Sequence, residues 1–129
     1  MNEETILRHV ALQYKDREQA EIFFTKILGL PLKKTFNLSK ELTKDIFGIE
    51  EDVLVDVYDN GKTCFEIFIT NKSTKYVYEH TCIEIRNKEE FIKRCGKNNI
   101  EPMSVKKGEK ILLFVKDYAG NLFEVKEKT

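Results

Sequence analysis

The sequence predicts an α+β domain made of two βαβββ modules whose strands form a curved, mixed sheet around a cavity. Three observations lead there. "RHVALQYKDREQ" lies over "EHTCIEIRNKEE" at an offset of 71 residues, so His9 falls on His80, Leu12 on Ile83, Tyr14 on Ile85 and Glu18 on Glu89. Self-similarity at such a spacing marks a repeated supersecondary unit. Each half then closes with two alternating segments joined by a turn signal, "NG" in "DVLVDVYDNGKTCFEIFI" and "YAG" in "KILLFVKDYAGNLFEVKE". Finally, "TCFEIFIT" and "NLFEVKEK" share a Phe-Glu-aliphatic centre that places Glu66 and Glu124 in the middle of a strand.

Each copy of the repeat is a short strand running into a helix. Asp16 stands three residues before Gln19, and Asn87 three before Glu90, the spacing of an N-cap and its N3 partner. The first helix is expected to run to about Leu28, with Gly29 as its left-handed stop. The second carries Phe91, Ile92 and Cys95 as its apolar stripe, with Gly96 near its end. Between the first helix and its hairpin, "LSKELTKDIFGI" predicts a short extra helix capped by Ser39 and stopped by Gly48. One further strand is expected around 32–36 and its counterpart around 101–105. The result is a single domain over 1–129, with module one at 5–70 and module two at 78–127.

Composition narrows the function. The chain has 129 residues, and its 22 basic residues balance 22 acidic ones, so it carries no basic footprint for nucleic acid and no polybasic membrane anchor. No apolar run is long enough to span a bilayer. Three cysteines (Cys64, Cys82 and Cys95) without CxxC spacing fit reduced thiols better than a disulfide framework. The start "MNEETILRHV" lacks a signal-peptide pattern. The expectation is a cytoplasmic, soluble protein.

Strand parity sorts the chemistry. Val10, Leu12 and Tyr14 oppose His9, Ala11 and Gln13; Phe65, Ile67 and Ile69 oppose Cys64, Glu66 and Phe68. In the second half, Ile83 and Ile85 oppose His80, Cys82, Glu84 and Arg86, and Phe123 and Val125 oppose Glu124 and Lys126. Four strands thus have one greasy face and one mixed face, and each mixed face carries one residue able to ligate a metal. A carboxylate buried without a partner is costly, and a divalent cation offsets that cost. The simpler alternative is a solvated outer face. Against it, the only two histidines and both Phe-Glu motifs occupy repeat-related places. His9, Glu66, His80 and Glu124 are therefore the candidate metal ligands, a set suited to Ni, Co, Mn, Fe or Zn.

On these residues the chain resembles the vicinal oxygen chelate superfamily. "LRHVALQYKDREQAEIFFTKILGLPL" is similar to that superfamily's opening strand and helix, and "FVKDYAGNLFEV" to its closing signature. The ligand set is most similar to small bacterial glyoxalase I. The resemblance implies a metal-dependent lyase or isomerase acting on a small hydroxycarbonyl or hemithioacetal, by proton transfer through a metal-bound enediolate. It implies Glu124, then Glu66, as the proton-moving residue, and a homodimer. Whether the four ligands meet in one chain or across a dimer is open at this point. Gln13 stands where glutathione-using members carry Arg, and Thr70 where they carry Asn, which argues against a glutathione adduct. Gln13 and Arg86 are the candidate substrate-binding residues, with Lys126 a further cation on the cavity parity. The alternatives are a non-catalytic binder like the bleomycin-resistance proteins, an epimerase, an extradiol dioxygenase, or thiol transfer to fosfomycin. The extra helix, which has no counterpart in the second half, is expected to cover the cavity mouth and tune specificity.

Overall fold

The computed structural model describes residues 6–72 and 79–128. Module one contains β1 (Val10–Tyr14), α1 (Arg17–Glu21), β2 (Leu32–Leu38), α2 (Lys40–Phe47), β3 (Val53–Asp59) and β4 (Cys64–Ile69). Module two contains β5 (Thr81–Ile85), α3 (Lys88–Lys97), β6 (Met103–Lys107), β7 (Lys110–Lys116) and β8 (Leu122–Glu127). Each is βαβββ, as the repeat implies, with the expected extra helix α2 inserted in module one and the two strands expected in the connections present as β2 and β6. The expected module limits at 5 and 78 lie outside the described residues.

Hydrogen bonding divides the strands into two four-stranded mixed sheets, ordered β1-β4-β3-β2 and β5-β8-β7-β6. The first strand of each module runs parallel to its last, and the remaining pairs are antiparallel hairpins. The β3–β4 turn is held by Asn60, whose Oδ1 accepts from the amides of Lys62 and Thr63, and by Gly61 at φ 90°. In the β7–β8 turn the buried Asp117 accepts from the amides of Ala119 and Asn121.

The caps act where the sequence places them. The Asp16 carboxylate accepts from the amides of Glu18 and Gln19, Asn87 from Glu90, and Ser39 from Leu42, while Gly48 ends α2 at φ 74°. Two local features differ from expectation. The helix begun by α1 continues as a π-helical turn, Ile22–Ile27, in which the Leu28 amide reaches back five residues to Phe23. Such widening is one way a helix seats two neighbouring bulky side chains on one face, and here both Phe23 and Phe24 are fully buried. In α3, Phe91 and Cys95 are buried but Ile92 is exposed; Gly96 lies near the helix end as expected, and Asn99 beyond it takes the left-handed conformation.

The helices and the inner faces of both sheets share one core, including Tyr14, Phe65, Ile67, Leu113, Val115, Phe123 and Val125. These are the greasy-face residues that parity assigns. Arg94 crosses between modules, its Nε donating to the Ile27 carbonyl at 3.0 Å. A second carboxylate, besides Asp117, sits inside. Asp56 on β3 is fully buried, and Arg17 grips it through Nε at 2.7 Å and Nη2 at 2.8 Å while Thr35 donates at 2.6 Å. The carboxylate raises the guanidinium's pKa through this hydrogen bond and its charge. Among the described residues, no helix is long and apolar enough to cross a membrane.

Removing Arg17 strands a desolvated carboxylate. Arg17→Ala should therefore lower unfolding free energy by about 2–4 kcal/mol in urea titrations, a range reduced for the half-exposed guanidinium. Tyr14 predicts the opposite sign. Its buried hydroxyl lacks a hydrogen-bond partner among the described residues, and burial together with the nearby Asp117 charge pushes the phenol's pKa up. Tyr14→Phe should leave stability within about 0.5 kcal/mol of wild type or raise it, and a loss of about 1 kcal/mol or more would reveal a hydrogen bond to Asp117.

Candidate metal centre

Each module builds the same small constellation by the same register. Glu66 on β4 pairs with Ala11 on β1, and Glu124 on β8 pairs with Cys82 on β5. The histidines stand two residues before those partners, just ahead of their strands. Residues two apart share a face, so each imidazole leans across the parallel ladder towards the carboxylate. His9 Nε2 lies 3.6 Å from Glu66 Oε1, and His80 Nε2 lies 3.7 Å from Glu124 Oε1. The side chains also match in exposure, 47% and 23% in the first pair and 42% and 17% in the second.

These separations bear on metal binding. They exceed a hydrogen bond. Two donors each about 2.1 Å from one ion, at tetrahedral or octahedral angles, stand roughly 3.0–3.4 Å apart. The pairs need only a few tenths of an ångström to close on an ion, and imidazole with carboxylate is a donor set that divalent first-row metals accept. The residues fit a metal, as two halves. Among the described residues, no group of three or more His, Cys, Asp or Glu side chains converges. A single chain joins His9 to Glu66 and His80 to Glu124, and does not bring the two pairs into one cluster.

Their surroundings differ. Two residues beyond Glu124, the exposed Lys126 places Nζ 3.5 Å from Glu124 Oε2. The equivalent position beyond Glu66 is Phe68, which meets Phe47 of α2 edge-on with centroids 5.6 Å apart. Next to that contact is a cavity of about 390 Å³ lined by Ala11, Gln13, Phe47, Ile49, Val53 and Phe68, among others. Thr43 and Phe47 place α2 in its wall, so the extra helix does border a cavity on the His9–Glu66 face. Gln13 is a lining residue, as its parity implies; Arg86 is exposed and does not line it. The thiols are unpaired, with Cys95 buried, Cys64 half-buried and Cys82 exposed. Burial pushes the Cys95 thiol up to about 11, and burial with the Asp59 and Glu66 charges raises Cys64. Neither is disposed to act as a thiolate nucleophile at neutral pH.

The architecture defines the fold: the chain has the vicinal oxygen chelate fold, the two-module arrangement seen in FosX and glyoxalase family proteins. Among solved structures it is similar to the fosfomycin resistance protein FosX from Listeria monocytogenes, with TM-score 0.73, 14% identity, and 98% of this chain and 96% of that one covered. It is also similar to a glyoxalase family protein from Enterococcus faecalis, with TM-score 0.72, 18% identity, and 93% and 95% covered. A Listeria FosX variant crystallised with Mn(II) and 1S,2S-dihydroxypropylphosphonic acid has TM-score 0.72, 17% identity, and 98% and 95% covered. No protein-family model matches the sequence, and no curated protein does. At these identities the likeness establishes the fold.

Proposed function

We propose that the protein is a metal-dependent lyase or isomerase of the glyoxalase type that works as a homodimer. In it, module one of one protomer and module two of its partner together form each site. The observation that carries this reading is the matched pair of half-sites. Two ligands are too few to hold a catalytic divalent ion firmly, and a two-fold axis lets a second copy supply the other pair twice over.

His9, Glu66, His80 and Glu124 would hold the ion, drawn from the Ni, Co, Mn, Fe and Zn group; Mn(II) in the crystallised FosX variant supports that class of metal. When bound, such an ion supplies Lewis acidity to adjacent substrate oxygens. The chain's own residues do the rest. Glu124 is the first choice to carry a proton between neighbouring substrate carbons, with Glu66 second, because each carboxylate is partly buried and each lies beside an imidazole. Lys126 steadies the outer oxygen of Glu124. The Gln13 carboxamide, which makes no hydrogen bond among the described residues, offers the substrate a neutral donor and acceptor. Arg86 would reach substrate only from the rim. The substrate is a small molecule with neighbouring oxygen functions. A second reading, action on fosfomycin, rests on the likeness to FosX alone.

Elemental analysis after exposure to mixed divalent ions should find roughly one ion per chain in wild type and almost none in His9→Ala or His80→Ala. Mixing those two variants after dissociation is the sharper test. In a shared site, a mixed dimer carries one site with both lesions and one intact, so an equal mixture should recover about a quarter of wild-type metal. Metal-free wild type would sink the reading, and no recovery on mixing would place all four ligands within one chain. Removing α2 should shift substrate preference while sparing the ion, as measured by metal content and a substrate panel.

A further inference from the structure

The cavity beneath α2 carries a statement about the substrate that goes beyond a metal and a pair of oxygens. Ala11 is the cross-strand partner of Glu66 and also lines the cavity, so the space lies on the strand face that carries that carboxylate, although neither Glu66 nor His9 is itself a lining residue. Gln13 and Phe68 form the next pair on the same face, about 7 Å further along the strands. At about 390 Å³ the cavity has room for about a dozen waters, hence for a ligand of comparable heavy-atom count.

Its chemistry is uneven. The walls are Ala11, Ile49, Val53, Phe47 and Phe68, the last two set edge to face. The charges around it cancel: Lys15 and Lys72 face Glu51 and Asp52, and Asp52 already accepts from the Lys40 amide at the start of α2. The inward polar groups are largely committed. Thr43 donates to the Ser39 carbonyl and Thr70 Oγ1 accepts from the Lys72 amide, while the carboxamides of Gln13 and Asn71 are without a partner among the described residues. Two lysines are matched by two carboxylates in the lining, so a dianion would enter a space of zero net charge with largely apolar walls, and its desolvation would be poorly compensated. A planar apolar body with one or two neutral polar groups would find ring edges, methyl groups and the carboxamides of Gln13 and Asn71.

From this we infer that the cavity under α2 is a subsite for the body of an uncharged, single- or fused-ring aromatic substrate, oriented by Gln13. Combined with the metal centre proposed above, on which this step rests, it gives the substrate class as an aromatic or similarly flat molecule whose oxygenated end reaches His9 and Glu66. This excludes a small phosphonate such as fosfomycin from the subsite.

The test is a titration of the full chain with 2-naphthol, in the presence of a chelator and again with Mn(II), followed through backbone amide NMR shifts. Saturable shifts at Gln13, Thr70 and Asn71 are expected, with affinity at least fivefold weaker in Ala11→Phe, which fills the space. Phe47→Ser should weaken binding as much, and because Phe47 is half exposed this variant keeps the core intact if Ala11→Phe misfolds. Propylphosphonate should give no saturable shift at those amides. Absence of 2-naphthol binding, affinity unchanged in the folded variants, or saturable propylphosphonate binding there would each overturn the assignment. The chelator arm separates the two readings: wild type that binds 2-naphthol but never a metal refutes the metal centre and leaves the subsite standing.

Discussion

The two modules hold together through a pair of adjacent phenylalanines. Phe24 packs on the aromatic residues of its own module, Tyr14, Tyr58 and Phe65, with centroids 5.2–5.8 Å away. Phe23 turns to the other module and meets Phe123 at 5.2 Å and Tyr118 at 6.5 Å. Consecutive residues on an ordinary α-helix point about 100° apart, and here both neighbouring rings are fully buried in one core. The π-helical turn is the local adjustment that accompanies this demand. Each fully buried Phe contributes about 1.5–3 kcal/mol of transfer free energy, so the pair is a substantial share of what holds a small domain folded.

That constraint reaches the candidate site through register. Phe65 and Phe123, the two strand residues on either side of the Phe23–Phe24 pair, each immediately precede a glutamate. Fixing the phenylalanine inward fixes its neighbour outward, because side chains alternate along a strand. Glu66 and Glu124 are therefore presented on the outer faces by the same packing that joins the modules. The parallel pairing of β1 with β4 and of β5 with β8 then brings each histidine alongside. A one-residue slip in either ladder would carry the glutamate into the core and the phenylalanine into solvent.

Much of this is written in the sequence in local terms. Parity separates Phe65 from Glu66 without any knowledge of tertiary structure, and the caps at Asp16, Ser39 and Asn87 are short-range devices. What escapes is set by partners distant in sequence. Nothing local marks Asp56 as the buried half of an ion pair with Arg17, 39 residues away; its strand "DVLVDVYD" simply shows an aspartate between aliphatic residues. The π-helical turn escapes because it answers to rings on β4 and β8. The cavity escapes because Phe68, a mixed-face residue by parity, acquires its meaning only when α2 brings Phe47 onto it. The separation of the four candidate ligands into two pairs is likewise a fact about how modules are joined, and equal motifs in both halves are compatible with either outcome.

The duplication also explains how a symmetric scaffold yields an asymmetric site. Both modules repeat His, Glu and their register to within 0.1 Å in the Nε2–Oε1 separation. They diverge two residues later, with Phe68 under a helix in one and an exposed Lys126 in the other. A dimer that faces module one with module two would thus place an apolar wall opposite a cation around a shared ion, a polarity neither module has alone. It would also couple assembly to ligation. An ion held by two protomers binds the dimer and not the separated chains, so its binding free energy adds to dimer stability by mass action. Each half-site taken alone leaves a partly buried carboxylate beside an imidazole, with only two potential ligands. In the proposed assembly the same carboxylates would gain a cation, which would give a chain a physical reason to carry two separate half-sites.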